Sequence, residues 1–309
     1  MNGPSPKDAT GETRIGALVG IAAYTIWGFF PIYFHALEPT SAIEVLSHRI
    51  VWSLLVVGLA LLVRKDWSWV RPFLADRSQV IELLAAAVLI AINWLVYVWT
   101  VEQNRVLEAA LGYFINPLVT VGMGVVLLRE RLRSLQWAAV GLGATAVLVI
   151  SVAYGSFPWI SLTLAFSFAS YGYMKKRISL SPIRSLSAET AALTPVAVVV
   201  IIYLSTTGSL EFGSGPLSLS ILLALSGLVT AIPLILFAAS ARRIPLTLLG
   251  LLQYLTPVMQ FLCAVFVFHE SMPATRWIGF ALVWAALGML SLDSILHSRS
   301  TPAVVPLSG

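Results

Sequence analysis

The chain has 309 residues, of which 58% are hydrophobic and 11% charged, with a formal net charge of +5. Soluble domains carry about 25% charged residues, so a water-soluble globule is excluded: too few polar groups are present to cover so much apolar side chain. The basic residues are scattered over many short segments and form no single patch, which removes nucleic acid as a partner.

Residues 1–13 read as a flexible tail. Ten apolar runs follow, each close to the roughly 20 residues that a helix needs to cross about 30 Å of hydrocarbon. They are continuously apolar, without the alternation of barrel strands. The first, 15–37, contains Trp27 and is longer than the roughly 7–15-residue apolar core of a cleaved signal peptide. The second, 44–63, opens on Glu44, His48 and Arg49, with Glu44 and His48 one turn apart. Placed at the outer end of a helix, these read as a salt-bridged helix start or as carriers of a proton or a substrate charge. The third, 80–101, presents Asn93 and Tyr97 on one face. The fourth, 106–128, carries Glu108, Gly112 and Asn116 as an i, i+4, i+8 stripe, with Tyr113 beside it and Pro117 at its centre. Runs at 135–153 and 157–174 follow. The latter contains Tyr171 and leads to Lys175, which marks topology or points into an inner vestibule. Next come 188–206, 217–240, 246–268 with Gln253, Tyr254 and Pro257, and 274–296, before a second tail at 298–309.

With the N-terminus inside, every Lys and Arg except Arg49, Arg105 and Arg276 falls in a cytoplasmic segment. Basic residues are retained on that side, so both termini are expected in the cytoplasm.

Sliding the chain by 140 residues lays Pro117 on Pro257, Glu130 on Glu270 and Trp137 on Trp277. A weaker match, at a shift of 144, joins Trp27-Gly28 to Tyr171-Gly172. The repeat unit is then five helices, 14–153 and 157–297. An odd number forces the second copy into the membrane upside down. The expected fold is an all-α integral membrane protein of ten transmembrane helices in two inverted five-helix repeats, an arrangement suited to alternating access.

A mid-helix proline removes one N–H and frees the carbonyl four residues earlier. Pro117 and Pro257 would free Tyr113 and Gln253 at the membrane midplane and act as hinges. Paired breaks of this kind point to a substrate site. Tyr113, Asn116, Gln253 and Tyr254 would supply hydrogen bonds there, and Trp27, Asn93, Tyr97 and Tyr171 would wall the cavity. Asparagines in a bundle also serve as helix–helix glue. Glu108, or the Glu44–His48–Arg49 group, would carry a coupling proton or a substrate charge.

Enzyme and cofactor chemistry has no signature. No Gly-Lys dipeptide offers a phosphate loop, and no His-Glu-x-x-His or Gly-x-Ser-x-Gly string is present. The histidines at 35, 48, 269 and 297 are too scattered for a metal site. Cys263 is the only cysteine, so no intramolecular disulfide forms, and it reads as a packing residue. The expected function is a secondary-active permease with the lipid bilayer and a small-molecule substrate as partners. The alternatives are a passive channel or a non-transporting scaffold.

Several strings resemble a known family. They are Trp27-Gly28 with Pro31 and Tyr33; Glu44 with His48-Arg49 and Trp52-Ser53; Asn93-Trp94 with Tyr97; the run from Leu111 through Gly112, Tyr113, Phe114, Ile115, Asn116 and Pro117 to Leu118; Glu130 with Gln136-Trp137; Tyr171-Gly172 with Lys175-Lys176; and Gln253-Tyr254 with Pro257. Together they are similar to the drug/metabolite transporter superfamily, in its EamA-like branch and the RarD group of that branch. The resemblance covers about residues 14–297. It implies a bacterial cytoplasmic-membrane permease, with relatives that export amino acids and other metabolites and a group name linked to chloramphenicol sensitivity.

Overall fold

The computed structural model describes residues 6–128, 132–154, 157–241, 243–244 and 252–298. Among them every regular element is helical. In chain order these are α1 (Pro6–Gly28), α2 (Phe30–His35), α3 (Ala42–Val63), α4 (Val70–Ala75), α5 (Arg77–Glu102), α6 (Val106–Leu128), α7 (Ser134–Tyr154) and α8 (Trp159–Arg177). They continue with α9 (Pro182–Thr206), α10 (Leu217–Ala241), α11 (Leu255–Leu262), which runs into a π turn at Cys263–Val267, and α12 (Ala274–Ser298).

Seven of the described helical segments are long and apolar enough to cross a membrane. Their outward faces are apolar: Val63, Val126 and Leu217 are each at least 76% exposed. In water such a surface would aggregate; against lipid it is neutral. The chain is therefore an all-α membrane protein.

Local chemistry sets the helix ends. Ser41 accepts from the Glu44 N–H at the start of α3, and Asp76 accepts from the Ser78 and Gln79 N–H groups at the start of α5, covering orphan donors. Pro31, in the first turn of α2, cannot donate to the carbonyl of Trp27, and the helix breaks at Phe29. The freed Trp27 carbonyl accepts instead from the Gln260 side chain at 3.2 Å. A second tie runs from Thr256 Oγ1 to the Tyr24 carbonyl at 2.9 Å, so α11 is stitched to the broken helix.

The strongest packing pairs are α7 with α12, α3 with α9, α6 with α8, α5 with α8, α3 with α10 and α1 with α10. α11 packs on α1 and on α6, and α5 also meets α9.

Several expectations shift. α1 begins at Pro6, inside the expected tail, and the Glu12 carboxylate meets Arg243 Nε at 3.0 Å, which holds this extension. The run 15–37 is two helices rather than one. α4 is an added short helix. Pro257 lies in the first turn of α11, just after a break at Tyr254, and not at a helix centre. A proline is tolerated there because its N–H would be an orphan. Pro117 does sit inside α6. Glu130, Arg129, Arg131, Arg242, Arg299 and the start of the run 246–268 lie outside the described residues, as do residues 1–5 and the tail after residue 298.

Candidate functional site

Arg49 stands where elements from both halves of the chain converge. It is 4% exposed. Its guanidinium lies 4.2 Å from the Trp94 ring centroid on α5, and 5.4 and 5.5 Å from Phe34 and Phe30 on α2. Nε donates to Thr230 Oγ1 on α10 at 2.8 Å. Tyr33, Tyr97 and Tyr113 are close enough to interact with the charge. The reading of a salt-bridged helix start is therefore corrected for Arg49: its surroundings are a hydroxyl and aromatic faces.

Glu44 explains why this end of α3 is sealed. Its carboxylate is fully buried and accepts from the Glu211 and Phe212 N–H groups at 2.9–3.1 Å, drawing the 209–216 loop over the helix start. His48 stacks on the Phe212 ring at 4.5 Å between centroids, and its Nε2 is 3.8 Å from Glu44, beyond hydrogen-bond range.

Beside Arg49, Tyr97 and Tyr113 pack ring to ring at 5.6 Å. Tyr113 donates to Asn93 Oδ1 at 3.2 Å, while Asn93 Nδ2 donates to the Leu164 carbonyl and to Ser167. Asn116 Nδ2 donates to the Ala165 carbonyl at 3.1 Å. The stripe expected to line a cavity is thus the α6–α8 contact. Ser161 donates to the Glu108 carbonyl, and a Cβ at Gly112 would stand 2.8 Å from the Ser161 carbonyl oxygen. The Glu108 carboxylate instead pairs with Arg105 at 2.6 Å.

A second buried polar group lies at the far end of α8. Lys175 Nζ meets Glu189 at 2.6 Å. Tyr171 donates to the same carboxylate at 3.1 Å, and Ser185 donates to it at 2.8 Å. Glu189 is only 1% exposed. Sequence reasoning placed Tyr171 and Lys175 but missed Glu189, which sits at the edge of an apolar run.

Trp27 packs on Tyr24 and Phe237. Tyr254 bonds Ser291 on α12, and Gln253 is half-buried just before the α11 break. Neither residue is among the partners recorded for Arg49.

Two hollows open at opposite ends of the bundle. One, about 460 Å³, lies at the C-terminal end of α3 between Arg64, Asp66, Arg184 and Arg243. Arg184 holds the Asp66 carboxyl below its usual range by a direct hydrogen bond. The other, about 330 Å³, lies at the start of α6 between Arg105, Glu108, Glu270 and Arg276. Arg49 and its ring neighbours line neither hollow.

At the second mouth Glu270 caps α6, accepting from Val106 N at 2.5 Å and from Leu107 N at 3.1 Å. Burial pushes its carboxyl up to about 7, against the pull of these donors. A carboxyl held above its ordinary value of 4.5 takes up a proton on folding. Its contribution to stability therefore falls as pH rises from about 4.5 to about 7 and is level above that. Thermal unfolding followed from pH 5 to 8 is expected to show this slope in the wild type and to lose it in Glu270→Gln. Parallel curves for the two proteins would remove Glu270 as the source.

The comparisons agree with one another. Residues 14–152 match the model of the EamA-like transporter family. Protein RarD of Streptomyces exfoliatus is 49% identical over 96% of this chain and 94% of its own length. An uncharacterized transporter of Pseudomonas aeruginosa is 40% identical over 95% of this chain and 99% of its own. A crystal structure only 17% identical superposes with a TM-score of 0.59, covering 94% of this chain and 99% of that one, which supports the fold alone.

Proposed function

Because the chain belongs to the EamA-like family, in its RarD group, we propose that it is a secondary-active permease which moves a small organic metabolite or drug outward across the bacterial cytoplasmic membrane. In this reading ten spanning helices form two inverted repeats, 14–153 and 157–297, with both termini in the cytoplasm. The solute binds between the halves near Arg49, Tyr97 and Tyr113, and the two hollows are the inner and outer mouths of an occluded state.

One observation carries the reading. Let α1, α3, α5, α6 and α7 exchange places with α8, α9, α10, α11 and α12. The pair α6–α8 becomes α11–α1, α5–α8 becomes α10–α1, and α3–α10 becomes α9–α5, while α3–α9, α7–α12 and α6–α11 map onto themselves. Every one of these pairs is a packed contact. A bundle whose strongest contacts survive such an exchange supports two related ways to close, one for each side of the membrane, as alternating access requires.

The test is counterflow in liposomes reconstituted with the full chain, using amino acids, other metabolites and chloramphenicol as labelled solutes. Saturable uptake accelerated by unlabelled solute on the opposite side is the expected result. Linear flux without that acceleration would make the protein a channel, and absence of flux across the panel would count against transport. Repeating the assay across an imposed pH gradient tests for a coupling proton.

A further inference from the structure

Arg49 is the buried charge that the protein leaves unanswered. Among the described residues the buried carboxylates are committed elsewhere: Glu44 to the backbone of the 209–216 loop, Glu108 to Arg105, Glu189 to Lys175 and Asp293 to Arg133. The groups around the Arg49 guanidinium are aromatic rings, and among the described residues its side-chain acceptor is the neutral Thr230 hydroxyl. Nη1 is fully enclosed and has no hydrogen-bond partner among the described residues. The hydroxyl of Tyr97, a residue that packs against Phe34 beneath the guanidinium, is likewise buried and unpartnered.

A guanidinium stays protonated in a protein interior, so this cation cannot escape its burial by neutralising. Aromatic faces compensate a desolvated cation only in part, and the cost of its desolvation exceeds that compensation. The guanidinium carbon lies over the rings of Trp94, Phe34 and Phe30, and a guanidinium held by ring faces still has N–H donors that project in its own plane. Stacking and a two-pronged grip on an anion are therefore compatible.

We infer that the solute carries a carboxylate, received by Arg49 Nη1 and the Tyr97 hydroxyl, and that an apolar or planar body lies against Trp94, Phe30 and Phe34. A single negative charge matches Arg49, a buried cation with no anionic partner among the described residues. A phosphate dianion would call for a second cation, and Lys175 is already paired. Small inorganic anions would gain nothing from the aromatic walls. The inference rests on the transporter reading above.

The experiment measures thermal unfolding of the purified full chain with benzoate and phenylacetate, with their neutral amides, and with chloride and inorganic phosphate. It uses wild type, Arg49→Lys, Arg49→Met and Tyr97→Phe. The carboxylates are expected to raise the wild-type midpoint and the amides to leave it unchanged. Arg49→Met should bind carboxylate about 10- to 100-fold more weakly, the worth of one charge-assisted hydrogen bond, with Arg49→Lys and Tyr97→Phe in between. Without ligand, Arg49→Met should unfold no earlier than wild type, because it removes an uncompensated charge. No shift with either carboxylate, an equal shift with the amides, an equal shift with chloride or phosphate, or a shift retained in Arg49→Met would each overturn the assignment. Counterflow separates the two readings: transport of neutral solutes with no preference for carboxylates leaves the permease and removes the anion site. Carboxylate binding that depends on Arg49 without any counterflow does the reverse.

Discussion

Gly227→Ala is expected to lower the unfolding midpoint sharply and to abolish solute counterflow. A Cβ at this position of α10 would stand 2.4 Å from both the carbonyl carbon and the carbonyl oxygen of Trp52 on α3. Those are main-chain atoms of a packed helix and cannot swing aside as a side-chain tip does. α10 must therefore retreat from α3 along one of the tightest contacts of the bundle. Close approach of this kind is what small residues supply between membrane helices. Overpacking costs about 1–3 kcal/mol, occasionally more, and a backbone collision belongs at the upper end. The functional loss follows from register: Thr230 is one turn further along α10, on the same face, and its hydroxyl is the acceptor that fixes Arg49. Gly172→Ala is the control, since nothing lies within 4 Å of the added methyl. It should be neutral or slightly stabilising, because alanine favours the helix by about 1 kcal/mol over glycine. A Gly227→Ala protein that unfolds with the wild type would show that α10 can shift at no cost, and the argument from close approach would fail.

The helices were legible because the membrane leaves little choice: a chain crossing lipid must satisfy its backbone internally, so apolar runs of sufficient length become helices. What the runs did not reveal were their interruptions. The break at Phe29 depends on Pro31 and is made tolerable by Gln260, 233 residues away from Trp27. No local pattern announces that partner. The site was legible in its residue types and less so in its geometry. Asn93, Tyr97 and Tyr113 do gather, but Gly112 and Asn116 face α8, and the Glu108 carboxylate opens on the hollow at the start of α6, since a polar stripe does not say what it touches. The sequence sets Arg49 near the outer end of a helix, because it follows closely on the start of an apolar run. The 209–216 loop, held by Glu44 from 167 residues away, roofs that end and turns a shallow position into a buried one. The matched glycines of the weaker repeat also part company. A Cβ on Gly28 would meet Met259 at 2.6 Å, whereas Gly172 has open space. One copy of the motif is used for packing and the other is not.

Arg49 and Glu189 are separated by 140 residues, the interval that superimposes the two prolines, and they lie on the paired helices α3 and α9. Each half thus buries a charge at a corresponding place, and among the described residues only the second has an ionic partner. That difference sets the expected outcome for Glu189→Ala. Removing the carboxylate strands the Lys175 ammonium and deprives Tyr171 and Ser185 of their acceptor. Breaking one side of a buried pair costs about 3–5 kcal/mol, whereas replacing both sides with apolar groups is often neutral. The Lys175 side chain is 25% exposed, so water can reach it and the loss should fall near 3 kcal/mol, at the lower end of that range. Glu189→Gln keeps an acceptor for Tyr171 while leaving the cation unpaired, and should fall between wild type and Glu189→Ala. The double variant Lys175→Met/Glu189→Leu should recover most of the loss. Unfolding of the four proteins in the same detergent checks this as a double-mutant cycle. If the double variant is as unstable as Glu189→Ala, the carboxylate matters for Tyr171 and Ser185 rather than for the lysine. Counterflow in the recovered double variant then asks a separate question, whether the pair only holds α8 to α9 or must also part for the mouth on that side to open. A protein that regains stability without regaining flux would assign it the second role.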